Sequence, residues 1–186
     1  MKTVSQVIKF LMREEPYYGM FACGLAKEFS DKIPTAGVTI DGINFKLVIN
    51  KDFWYKLSFP QRCGVLKHEL LHLAFFHVLD RDIYLPLCEN DPVLMNLAMD
   101  MEVQSYVNKE YRLECDAEKM FQEYPNIQRG LGTKFYIEFL KQVKHYNPKN
   151  KKSNNQPDLS KGKDILDNHH SDHNWGTQEM SEAKKD

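Results

Sequence analysis

The sequence predicts an α+β domain, mostly helical with a small β-hairpin or sheet beside one central helix. Three observations carry that prediction. Apolar residues recur at intervals of three and four over several segments, which is the period of a helix with one buried face. Residues 38–50 are β-branched and partly alternating around Asp41-Gly42, the pattern of a hairpin. A capped, apolar stretch in the middle of the chain carries His68-Glu69-Leu70-Leu71-His72.

Taken in order, Val4, Val7, Ile8 and Leu11 predict a first helix that ends near Glu15-Pro16. Tyr18, Phe21, Ala22, Leu25 and Phe29 predict a second over residues 17–29, broken by Asp31-Lys32-Ile33-Pro34. Asp41-Gly42 is a candidate type I′ turn, and a strand over residues 44–49 at a sheet edge would offer free backbone groups to an extended peptide. An ordinary core hairpin fits the same residues. A short helix over residues 52–57 leads to Ser58, which forms a capping box with Gln61 and has Pro60 in the first turn. The helix so started contains one Gly, Gly64, and is expected to run to about residue 79. Asp80-Arg81-Asp82 and Pro86 mark a loop, Asp91 caps a helix over residues 92–107 with Pro92 at its first position, and Thr133 opens a last core helix.

His68 and His72 lie one turn apart on the same face of the central helix, so both imidazoles can grip one ion. Zinc suits such a pair, because a catalytic zinc takes three protein ligands and leaves a position for water, whose pKa it brings down toward about 7. Glu69 is placed to take the proton of that water and pass it to a leaving amine.

The third ligand is sought on the helix over residues 92–107. That segment is apolar nearly all round, yet Asn96, Asp100 and Gln104 make a polar stripe at intervals of four. A buried carboxylate needs a cation, and a metal held by His68 and His72 would supply it to Asp100. A salt bridge from Asp100 to Arg81 or Arg112 is the alternative. Glu102 lies about 200° round the helix from Asp100 and is assigned to solvent or to a supporting hydrogen bond. His77 competes as a ligand only if the helix ends or bends first, since it stands about 140° from His72. The spacing of a third histidine after a turn glycine is missing, because Ala74-Phe75 stands where that Gly would be.

Composition bounds the remaining functions. With 186 residues, 42% of them hydrophobic, the chain can bury one real core. A net charge of −1 argues against strong nucleic-acid binding. Cys23, Cys63, Cys88 and Cys115 are too far apart for a zinc knuckle and read as free thiols. No apolar run of membrane-spanning length and no leader pattern is present, so no membrane partner and a cytoplasmic location are expected. Residues 1–146 are expected to form the domain and 147–168 a polar linker. Residues 169–186, with His169, His170, His173 and Trp175, form a tail that can fold back on the domain.

These residues resemble a family of candidate zinc metallopeptidases of bacteria and phages, whose longer members carry a von Willebrand A-like domain. The resemblance runs through Ile33-Pro34-Thr35-Ala36-Gly37-Val38, the strand ending at Asn50, the HELLHLAFFH stretch, the Asn96–Asp100 segment, the helix after Thr133, and Asp172-His173-Asn174-Trp175. It implies a zincin-like fold, zinc held by His68, His72 and Asp100, and Glu69 as base. His173 also matches a family position, as a candidate oxyanion donor in catalysis or a further ligand. Gln104 stands where the family has Asn, and no von Willebrand-type domain is expected in the few residues after Trp175, so no partner of that domain is carried over. The expected function is a zinc-dependent peptidase acting on a peptide or protein substrate through a metal-activated water. The alternative is a non-catalytic zinc-binding structural or interaction module within a larger assembly.

Overall fold

The computed structural model describes residues 3–146 and 158–169. They fall into two compact units, one built from residues 3–79 with Val107–Arg112, the other from residues 80–106, 113–146 and 158–169. Among the described residues no helix is long and apolar enough to cross a membrane.

In the first unit, α1 (Val4–Glu14) opens with a capping box between Thr3 and Gln6 and buries Val4, Val7, Ile8 and Leu11. A second helix, α2, covers Pro16–Gly24, and the chain then becomes a strand, β1 (Ala26–Phe29). The expected single helix over residues 17–29 is therefore corrected. Its C-terminal third pairs in parallel with a later strand, and that long-range pairing outweighs the local helical spacing.

The hairpin is present as β2 (Ala36–Asp41) and β3 (Asn44–Ile49). Gly42 has φ 61° and Ile43 has no positive φ, so the two-residue turn carries the signature of type II′, not the expected type I′. The sheet order is β1-β3-β2. β3 is thus the central strand, not an edge, and its backbone groups are committed on both sides. Short helix α3 (Lys51–Lys56) follows, capped by Asn50, and leads into α4 (Phe59–Ala74), which packs against α1, α2 and β2.

The second unit contains α5 (Arg81–Leu87), α6 (Pro92–Tyr106), α7 (Asp116–Glu123), α8 (Thr133–Lys144) and α9 (Ser160–Asp167). α6 is its axis, packed by α5, α7, α8 and α9 around Leu94, Met95, Leu97, Met101, Met120, Tyr136 and Leu140. Residues 80–86, expected as a loop, begin a helix instead. Pro86 lies inside that helix, where its ring removes the N–H that would reach back to the Asp82 carbonyl. Part of the expected linker is also a helix: Leu159 at the N-cap of α9 and Leu166 within it are buried, and the Gly162 N–H donates to the Tyr124 hydroxyl at 2.8 Å. The two leucines, seven residues apart, supply an apolar stripe that the overall polarity of residues 147–168 conceals.

Candidate metal centre

Helix α4 is fixed at both ends by local chemistry. The Ser58 N–H donates to Gln61 Oε1 at 2.8 Å while the Ser58 hydroxyl accepts from the Gln61 N–H, the reciprocal pair the sequence predicts. Gly64 is required in mid-helix, since a Cβ there would lie 1.9 Å from the Tyr111 carbonyl oxygen. The helix is buried along most of its length, so its long cations must be satisfied internally. Arg62 donates to the carbonyl of Trp54 at 2.9 Å, and Lys67 to Glu15 and Asn108.

This embedded helix presents the two histidines as expected. The Nε2 atoms of His68 and His72 face each other 3.0 Å apart, with His72 only 1% exposed. Glu69, the next residue round the helix, is 2% exposed. α4 ends at Ala74, five residues earlier than expected. Phe76 takes a left-handed conformation, φ 60°, and turns the chain back on itself. The backbone N–H of His77 donates to the His72 carbonyl at 2.9 Å, and its ring brings Nδ1 to 3.0 Å from His72 Nδ1. His77 therefore touches the side of His72 opposite to the His68 contact.

Asp100 sits in the middle of α6, 8% exposed between the buried Met99 and Met101. The helix begins as predicted, with Asp91 accepting from the N–H groups of Val93 and Leu94 at 3.0 and 3.2 Å. The other members of its polar stripe have their own partners. Asn96 accepts from Arg81 at 3.3 Å, and Gln104 lies 3.5 Å from Glu118, which also holds Arg129 through two bonds of 2.7 and 3.0 Å. Arg112, the other alternative cation for Asp100, donates to the Val107 carbonyl. Glu102 accepts from the N–H of Thr133 at 2.7 Å and from its hydroxyl, so it caps α8.

His68 and His72 offer two ligand atoms on one face of α4 in the first unit, and Asp100 is a buried carboxylate on α6 in the second. Cys115 lies half-buried at the start of α7. Burial pushes its thiol up to about 12, and the negative charges of Asp100, Glu118 and Asp116 add to the effect against the opposing backbone N–H of Glu118. His173, with the rest of the His-rich tail after residue 169, lies outside the described residues.

Residues 2–121 match the family described as a putative metallopeptidase domain. The chain belongs to that family. The matched span takes in His68, Glu69, His72 and Asp100, and metallopeptidase membership implies a bound metal. No curated protein and no solved structure matches the chain. The contact the sequence reading missed is that of His77 with His72. Helical angles alone place the two rings far apart, and the non-glycine left-handed turn at Phe76 leaves no signature in residue type.

Proposed function

We propose that the chain is a zinc-dependent peptidase of the zincin type, with zinc held by His68, His72 and Asp100 and with Glu69 as the proton-transferring group. The observation that carries the reading is the Nε2 to Nε2 distance of 3.0 Å between His68 and His72. Donors on a tetrahedral zinc at about 2.0–2.1 Å are themselves about 3.3 Å apart, so the pair is close to the separation the ion requires. Two imidazoles and a carboxylate also form a donor set suited to zinc, with one position left for the reacting oxygen.

When bound, zinc supplies Lewis-acid chemistry, polarising a carbonyl and making a water acidic near neutral pH. Glu69 takes a proton from the attacking water as its oxygen bonds to the scissile carbonyl carbon. The same carboxyl then delivers that proton to the amide nitrogen as the C–N bond breaks, giving a carboxylic acid and an amine. Enclosure of Glu69 within α4 restricts it to few orientations and keeps bulk water from competing for the proton. An extended substrate could add to the sheet at β2, which packs on α4 and bonds to β3 along one side.

The test is a Glu69→Gln substitution in zinc-loaded protein, assayed on a mixed peptide library by mass spectrometry. The expected result is a loss of cleavage of at least about a hundredfold with zinc content unchanged. Cleavage at the original rate by Glu69→Gln would overturn the mechanism. Stoichiometric zinc without cleavage by the parent chain would favour the non-catalytic module.

A further inference from the structure

We infer that His77 is a positioning residue, the hydrogen-bond acceptor that holds His72 in the tautomer whose Nε2 is open to metal. The inference rests on the metal-centre reading above and extends it to a residue outside the ligand set. His72 is enclosed, and its ring makes a contact on each nitrogen: Nε2 at 3.0 Å from His68 Nε2, and Nδ1 at 3.0 Å from His77 Nδ1. A neutral imidazole has one N–H and one lone pair, and the partner on one nitrogen dictates which the other presents. With the N–H on Nδ1 directed at His77, the lone pair stands on Nε2, the side that faces His68.

Three features suit His77 to this task. Its ring is 2% exposed, so bulk water does not compete for the Nδ1 contact. It is packed beside Phe75, with ring centroids 5.8 Å apart, which limits rotation of the imidazole. Its backbone is fixed as well, by the N–H bond to the His72 carbonyl across the left-handed turn at Phe76. A histidine merely filling space would need neither the backbone return nor the nitrogen-to-nitrogen approach. Metal-binding histidines are commonly oriented in this way by an acceptor on the far nitrogen, and loss of that acceptor weakens binding.

The experiment compares Zn2+ affinity, by competition with a chromogenic chelator, for the parent chain, His77→Ala, His77→Asn and His68→Ala. Asn places an amide oxygen where Nδ1 stands and can accept the same N–H. His77→Ala is expected to bind Zn2+ about 10–100-fold more weakly, His77→Asn within about threefold of the parent, and His68→Ala to lose the site. In the Zn2+-loaded parent chain, 15N-edited NMR of the imidazoles is expected to show His72 protonated at Nδ1. An unchanged affinity in folded His77→Ala, or His72 bound to metal through Nδ1, overturns the inference while leaving the metal centre intact. If the alanine variant does not fold, the NMR measurement on the parent chain decides. Failure of the parent chain to bind Zn2+, or binding that survives His68→Ala, would sink the metal centre itself and this inference with it.

Discussion

The Nζ of Lys67 lies 2.6 Å from Glu15 Oε2, an ion pair that joins the turn between α1 and α2 to the residue immediately before His68. The lysine side chain is 1% exposed and the glutamate 24%, and the Lys67 ammonium also faces the rings of Tyr18 and Tyr111 at 4.6 and 5.4 Å. Removing the carboxylate leaves a buried cation short of its counter-charge. Glu15→Ala is therefore expected to cost about 3 kcal/mol in urea unfolding, and Lys67→Met combined with Glu15→Gln less than the sum of the single changes. A Glu15→Ala loss below about 0.5 kcal/mol would show that the pair is solvated and unimportant.

Gly64 offers a sharper steric test. A methyl group there meets the Tyr111 carbonyl oxygen, a backbone atom that cannot swing aside as a side chain could. On helix propensity alone Gly64→Ala would stabilise α4 by about 1 kcal/mol. Overpacking is expected to reverse the sign, with a net loss of about 2 kcal/mol or more measured by chemical denaturation.

Zinc should stabilise the folded chain in proportion to its occupancy. At free Zn2+ a hundredfold above the dissociation constant, the expected gain is about 2.7 kcal/mol, seen as a rise in Tm that a chelator reverses. His72→Ala and Asp100→Asn should each reduce or abolish that rise. His145→Ala should leave it unchanged, since His145 is an exposed partner of Glu89. A rise that survives both ligand substitutions would place the ion elsewhere.

Asp91 should give the domain a measurable acid sensitivity. Burial pushes its carboxyl upward, but the Lys144 ammonium and the N–H groups of Leu94 and Val93 outweigh it and hold the folded-state pKa below its ordinary value. A depressed carboxyl stabilises the fold above its unfolded-state pKa, and that contribution disappears as pH falls through the folded-state value. Asp91→Asn keeps a capping oxygen but not the charge. The Tm gap between parent and variant should be constant above about pH 5 and close below about pH 4. A gap independent of pH across that window would contradict the assignment.

The elements with strong local signals were legible in the sequence. The Ser58-Gln61 capping box, the Asp91-Pro92 start of α6 and the hairpin all depend on contacts within a few residues; the first two stand where their patterns placed them, and the hairpin does too except that its turn falls one residue later, at Gly42-Ile43. The buried stripe of α6 was also legible, because a polar residue every fourth position in an apolar helix needs a reason. What the sequence concealed depends on distant partners. β1 is a strand because β3 offers an open side to it, and nothing within Ala26–Phe29 announces that. α9 forms because Tyr124 and the faces of α7 and α8 receive Gly162, Leu159 and Leu166. Arg81 reaches Asn96 of the polar stripe at 3.3 Å, a choice of register that residue types cannot specify.

The backward loop at Phe76 also sets a limit on variation in this stretch of chain. A left-handed residue with a side chain costs on the order of 1 kcal/mol relative to glycine, and a β-branched one more. Glycine should thus be accepted at position 76 while valine or isoleucine should not. The interval from 72 to 77 acts as a covalent ruler: one residue inserted or removed there would swing the second imidazole out of reach without touching either ring.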